Sequence, residues 1–205
     1  AFTTQYQKWC RKHGYNFSED KALDIYASAC RHFGVIPKTD TAKLLVEQAI
    51  SQLQTTSSAL AALKQEMQSL AASLPEYPVV MGMFGVGPTL GPQLLAEIGD
   101  VRRFHSKKAL VAFAGIDAPP YQSGQIDVRS RSISKRGSAS LRRTLFLVMS
   151  VILHCAPIDE PVYQFMDKKR SEGKPYRVYM MASANKFLRI YYASVKAYLE
   201  SLEHD

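Results

Sequence analysis

Hydroxyls, glycines and cations crowd into one stretch of this chain, Gly82 to Arg143, and those residue types together suit work on a phosphodiester. From Arg102 to Arg143 stand ten Lys or Arg, namely Arg102, Arg103, Lys107, Lys108, Arg129, Arg131, Lys135, Arg136, Arg142 and Arg143, against only Asp117 and Asp127, a local balance of +8. That equals the formal charge of the whole 205-residue chain, so the basicity is local and a polyanionic partner is expected. Gly85-Val86-Gly87 precedes Thr89, which can begin a helix holding Pro92 in its first turn. Glycines there let backbone amides at a helix N-terminus approach a phosphate with no Cβ in the way, as in a helix-hairpin-helix; an ordinary tight helix turn would look the same. A serine hydroxyl can serve as a nucleophile toward phosphorus. On residue type alone Ser123, in a Ser-Gly pair, stands level with Ser132, Ser134 and Ser138, and no His or Asp partner marks one of them out.

The elements that position these groups read as mainly α. A long coiled-coil helix is followed by a helical domain with a helix-hairpin-helix-like motif and room for a small β-hairpin between Asp117 and Ser134. Thr3 to Gly34 suggests one or two short helices, with Asn16 or Ser18 as a start signal and Gly34 as a stop, and Val35-Ile36-Pro37 makes a turn. Trp9 and its aromatic neighbours read as packing residues. Thr39 or Thr41 can cap a helix running to about Leu74, where Pro75 ends it. Val46, Ala49, Leu53, Thr56, Leu60, Leu63, Met67, Leu70 and Leu74 alternate spacings of three and four, a coiled-coil seam that can pack on its own domain or on a second chain.

Further on, Leu94, Leu95 and Ile98 should face inward before Gly99. Ser106 opens a helix from Lys107 to Phe113 closed by Gly115. Ser138 opens another with Leu141, Leu145, Val148 and Ile152 on one face and Arg142 and Arg143 in its first turn, where cations oppose the helix dipole unless an anion docks beside them. Leu145 to Ala156 is too short to span a bilayer and reads as a buried helix. Asp159 with Pro161 starts a helix ending at Gly173, and Tyr176 to Leu202 forms the last. Four segments result: a helical N-terminal segment (1–38), the coiled-coil helix (39–75), a core (76–158) with the glycine motif and the Ser123 loop, and C-terminal helices completing that core (159–205).

Composition narrows the class. A hydrophobic content of 46% fits a folded protein rather than a disordered one, and nucleic acid suits the charge better than a membrane, since no lipidation signal or strongly basic amphipathic helix is present. Cys10, Cys30 and Cys155 are odd in number and lack a CxxC, so neither a disulfide framework nor a zinc site is expected, and a reducing cytosol fits.

Three runs carry a resemblance: "LPEYPVVMGMFGVGPTLGPQLLAEIGDVRRF", "ALVAFAGIDAPPYQSG" and "ISKRGSASLRRTLF". In this order they resemble the C-terminal transposase domain of the DEDD-plus-serine insertion-sequence transposases, relatives of the Piv and MooV DNA invertases. The likeness spans Leu74 to Met149, and "GKPYRVYMMASANKFLRIYY" is similar to the tail of such proteins. It implies a catalytic serine at Ser123, with Lys135 and Arg136 beside it and the transferring DNA phosphate stabilised by such cations. It also implies a RuvC-like N-terminal domain whose four acids hold Mg²⁺. No such acidic set precedes Thr41, so the chain reads as a C-terminal part, expected to bind DNA but not to cut it alone. Expected partners are DNA, a structured guide RNA as in some members, and a second copy or more through the coiled coil, with no membrane. The expected DNA contacts are Gly85, Gly87, Arg129, Arg131, Lys135, Arg136, Arg142 and Arg143. Two other readings remain: a non-catalytic helix-hairpin-helix module of a repair or recombination complex, and a helical scaffold whose basic face is incidental.

Overall fold

The computed structural model describes residues 2–31, 39–118 and 132–203, with the backbone alone of 122, 123, 126 and 127. The fold is mainly α, as expected. By contacts the chain divides into two compact units, Ala1–Ala59 and Leu60–Asp205.

In the first unit α1 (Phe2–His13) lies against α2 (Glu19–Arg31), burying Cys10 and Ala22 completely. Ser18, not Asn16, starts α2: its Oγ accepts from the Lys21 amide at 3.3 Å. The aromatics contact one another but stay largely at the surface, Trp9, Tyr15 and Tyr26 being 49%, 61% and 53% exposed. Phe2 meets Tyr26 at 5.6 Å, and Trp9 stacks on Tyr15 at 5.3 Å. The Gly34 stop and the turn at Pro37 lie outside the described residues.

Helix α3 runs Asp40–Ala72, and the division between the units falls within it. Thr39 is its cap, the Oγ1 accepting from the Ala42 amide at 3.2 Å. It stops two residues short of Leu74 because Pro75 disfavours helical backbone before it. Ser73 and Leu74 instead tighten onto the Leu70 and Ala71 carbonyls, three residues back. Of the apolar stripe, Leu53, Leu60, Leu63 and Leu70 are between 53% and 68% exposed in the single chain.

The second unit is built on α9 (Tyr176–Leu202), which buries Tyr179, Met180, Ala184, Phe187, Leu188, Tyr191, Val195 and Leu199 at helical spacing. Against it pack α4 (Tyr77–Met81), α6 (Lys107–Phe113), α7 (Ala139–Cys155), α8 (Pro161–Ser171) and a 3₁₀ turn (Val101–Arg103), while α5 (Leu90–Ile98) packs on α7. Burial pushes the Tyr191 phenol well up, and the buried Glu76 adds to it. The inward faces of α5 and α7 are those expected, every residue named for them being buried. Only one face of α7 is covered, however: Leu147 and Val151 are about 40% exposed. Its burial along the whole apolar run is therefore corrected to burial of a stripe.

Caps mostly follow the sequence. Ser106 and Ser138 accept from the Ala109 and Leu141 amides at 3.2 and 3.1 Å. Two do not. Thr89 has helical backbone and makes no side-chain cap, and Glu160, not Asp159, caps α8 by accepting from the Tyr163 amide at 2.6 Å. The backbone of β1 (Gln122–Ser123) pairs antiparallel with β2 (Ile126–Asp127), Gln122 opposite Asp127 and Ser123 opposite Ile126.

Gly85 has φ +82°, and a Cβ there would lie 2.8 Å from Ile152 Cγ1 and 3.2 Å from the Val148 carbonyl oxygen. The residue is therefore demanded by packing on α7. Gly85→Ala should destabilise the second unit by about 1–3 kcal/mol, through overpacking and a left-handed backbone. A thermal melt followed by circular dichroism checks this, with a Tm several degrees lower expected.

Candidate nucleic-acid interface

The site grows from a close backbone approach between the end of α6 and the start of α7. The Ser138 amide donates to the Phe113 carbonyl at 2.7 Å, the Lys135 amide to the Gly115 carbonyl at 3.0 Å, and the Ser134 amide to the Asp117 carbonyl at 2.8 Å. Side chains reinforce this clasp. Ser134 Oγ donates to the Asp117 carboxylate, Ser138 Oγ to Glu97 Oε2 at 3.0 Å, and the Arg142 guanidinium to the Ala114 carbonyl at 3.1 Å. No side chain fits at Gly137, where a Cβ would fall on the Phe113 carbonyl; at Gly115 (φ +66°) it would lie 2.7 Å from the Gly137 nitrogen.

Beyond the clasp opens a cleft of about 910 Å³, with residues 116–118 and 132–135 on one side and α9 on the other. Its floor is apolar, with Ile116, Ile133, Phe146, Phe165 and Met181. Four cations line it, Lys135, Arg177, Lys186 and Arg189, together with the amide of Asn185. Lys186 is held in place, its Nζ donating to the Pro161 carbonyl at 2.8 Å and standing 5.1 Å over the Phe165 ring. Among the described residues no carboxylate pairs with any of the four cations. Lys135 has φ +55°, a left-handed backbone uncommon for a residue with a side chain, and is exposed. Ala118 and Ser132, which border the segment carrying Ser123, both line the same cleft.

The residues singled out from the sequence scatter around this geometry. Ser123 is described by its backbone alone, and Arg129 and Arg131 lie outside the described residues. Lys135 lines the cleft, and Arg136 and Arg143 are exposed nearby in sequence. Arg142 is half-buried and its donors go to the clasp. Gly85 faces α7, whereas the Cβ position of Gly87 has nothing within 4 Å. Other cations of the basic stretch serve the fold. Arg102 pairs with Asp100 and Glu203 and holds the Asp100 carboxyl below its ordinary range, chiefly through a side-chain hydrogen bond. Arg103 lies 4.6 and 4.8 Å over the Phe104 and Phe113 rings.

The α9 wall went unread in the sequence, although a signal was there. Arg177, Val178, Met181, Ala182, Asn185, Lys186 and Arg189 recur at alternating spacings of one and three, a single helical face bordering the buried one. Among the described residues no three His, Cys, Asp or Glu side chains converge as a metal site would need. No helix among them is long and apolar enough to cross a membrane.

Gly137→Ala should force the clasp apart, lower stability by about 1–3 kcal/mol and weaken any ligand binding at the cleft in parallel. Ser132→Ala, at an exposed site outside the clasp, should leave the melt unchanged. Parallel denaturation curves of the two variants check both.

Comparison with known proteins bears on what this arrangement serves. Residues 77–164 match the family described as Transposase IS116/IS110/IS902. That region runs from α4 into α8 and leaves α9 outside it. The chain is 30% identical over 129 residues to the "Pilin gene-inverting protein" of Moraxella bovis, covering 62% of this chain and 36% of that protein. It is 25% identical over 149 residues to the "Probable family 20 transposase" of Pseudomonas aeruginosa, covering 73% of this chain and 44% of that protein. To the "Transposase for insertion sequence element IS1111A" of Coxiella burnetii it is 28% identical over 129 residues, 63% of this chain and 34% of the relative. The chain thus spans between a third and a half of the length of these relatives. These matches support a transposase domain over residues 77–164.

Proposed function

We propose that this chain is the C-terminal part of a DNA transposase or site-specific recombinase of the DEDD-plus-serine kind, in which Ser123 is the nucleophile for strand cleavage and transfer. The observation that carries the reading is that both borders of the Ser123 segment, Ala118 and Ser132, lie on the wall of a cleft lined by four cations. A phosphodiester drawn to those cations stands near the one serine that the family resemblance marks out.

In the proposed step Ser123 Oγ attacks phosphorus. The bond from phosphorus to one sugar oxygen breaks, that oxygen leaves as a hydroxyl once it takes up a proton, and the serine's proton passes to a base. The DNA end remains as a phosphoserine ester, so the energy of the broken bond is kept for rejoining to another strand's hydroxyl. Lys135 and Arg136 offset charge growing on the phosphoryl oxygens. Mg²⁺ is expected on a RuvC-like acidic domain, not on the residues described for this chain. DNA is the substrate, and a guide RNA of the kind some such transposases use is a further expected partner.

Strand exchange joins two DNA sites, and α3 supplies a means of bringing two copies together. Its leucine stripe, largely exposed in the single chain, is proposed to pair with the same stripe of a second chain. Leu60→Asp and Leu63→Asp should each convert a dimer to monomers with the helical content retained, since both positions are exposed in the monomer. Light scattering at micromolar concentration reads this, and a monomeric wild type would remove the dimer.

In the full-length protein, Ser123→Ala should keep DNA affinity and abolish the covalent protein–DNA adduct on a suicide substrate. An adduct surviving the substitution sinks the nucleophile assignment. Retained binding with no Ser123-dependent chemistry in the wild type would leave a non-catalytic binding module. The 205 residues alone should bind DNA with a log–log salt slope of about −1 per phosphate neutralised, weakened by Lys135→Ala/Arg136→Ala. They should neither nick DNA nor attach to it until the acidic domain is restored; a slope near zero would point to a scaffold.

A further inference from the structure

The cleft's composition goes further than phosphate attraction. Rigid duplex DNA turns its phosphates outward and keeps its bases stacked inside, so a surface built only to hold a duplex needs cations and gains nothing from an apolar floor. Here the cations Lys135, Arg177, Lys186 and Arg189 surround a floor containing two half-buried phenyl rings, Phe146 and Phe165, with the Met181 side chain. One polar group of the lining, the Asn185 amide, carries both a donor and an acceptor and can read a base edge. A volume near 910 Å³ falls at the upper end of the range of about 300–1,000 Å³ for sites that enclose small ligands. Phosphate outside, an aromatic surface inside and an amide among them match one nucleotide turned out of its stack.

We propose that this cleft takes a single unpaired nucleotide of the nucleic-acid strand. Its base lies on Phe146, Phe165 and Met181, its edge meets Asn185, and its flanking phosphates meet Arg177, Arg189 and Lys135. The unstacking cost is lowest where the strand is already unpaired, so the cleft selects strands that are opened or bulged over perfect duplex. Phe165 is suited to the role because Lys186 and Lys169, at 5.1 and 5.7 Å from its ring centre, fix it beside positive charge. This inference rests on the reading of the domain as one that handles nucleic acid, and deepens it by naming the structural state of the strand.

The experiment uses the 205-residue chain, whose second unit has its own core, with three DNA hairpins of one sequence. One is fully paired, one bulges a single 2-aminopurine, and one bulges an abasic site. The 2-aminopurine bulge should bind about tenfold or more tightly than either of the others, as expected for one base stacked on aromatic rings, and its fluorescence should change on binding. Phe165→Leu, which keeps apolar volume but removes the ring, and Val178→Asp, at an exposed position on the cleft, should each erase that preference, with melts and circular dichroism confirming the fold. The same hairpins in RNA show which backbone is preferred. Equal affinity for all three hairpins overturns the nucleotide cleft and leaves nucleic-acid binding intact. Binding to none overturns both, and a preference untouched by Val178→Asp places the unpaired base elsewhere.

Discussion

The second unit depends on a backbone-to-backbone contact between the end of α6 and the start of α7. Gly137 lies so close to the Phe113 carbonyl that no side chain fits between them, and Gly115 faces it with equally little room. This approach lets three amides, of Ser134, Lys135 and Ser138, reach carbonyls on the other segment. Buried amides and carbonyls must find partners, so once the two strands of chain are this close the hydrogen bonds fix their register. Asp117 and Ser134 are thereby held side by side. Two chain positions far apart in the sequence, Ala118 and Ser132, come to border one cleft.

The clasp supplies one wall and α9 the other. A 27-residue helix with a continuous buried stripe is held by α4, α6, α7 and α8 at once, which fixes the face beside that stripe. The cations on this face are therefore mounted on a rigid element, whereas a loop would have to order them at an entropic cost upon binding. Lys135 belongs to the opposite wall, in a left-handed backbone conformation that the hydrogen bond from its amide to the Gly115 carbonyl maintains. Backbone strain of this kind costs about 1–3 kcal/mol and persists only where the surroundings over-determine it, as the clasp does here.

What the sequence made legible were features set by neighbours along the chain. Ser106, Ser138 and Thr39 announce helix starts because a cap is a contact across three residues, and Gly99 and Gly115 announce stops for the same local reason. The inward stripes of α5 and α7 are equally local. Errors arose where the third dimension decides. Thr89 was read as a side-chain cap, but its backbone is already helical, and Glu160 displaced Asp159 because Pro161 sets the first helical residue. The Gly85-Val86-Gly87 pattern suggested amides opened to a ligand, while the missing side chain at Gly85 accommodates Ile152, some sixty-seven residues away in sequence. Nothing within a few residues of Gly85 signals that neighbour.

Charge shows the same division more sharply. The stretch from Arg102 to Arg143 holds the chain's whole formal excess, yet density along the sequence is not density in space. Arg102 is paired with two carboxylates, Arg103 lies over two phenyl rings, and Arg142 closes the clasp. Of the four cations at the cleft only Lys135 comes from that stretch; the other three come from α9, where the bases are spread along a long helix and do not cluster in the sequence. A cation contributes to a binding surface according to what already holds it. The face that α9 is compelled to present once its other face is buried thus forms one wall of the cleft, and the clasp is what brings Ala118 and Ser132 to its edge.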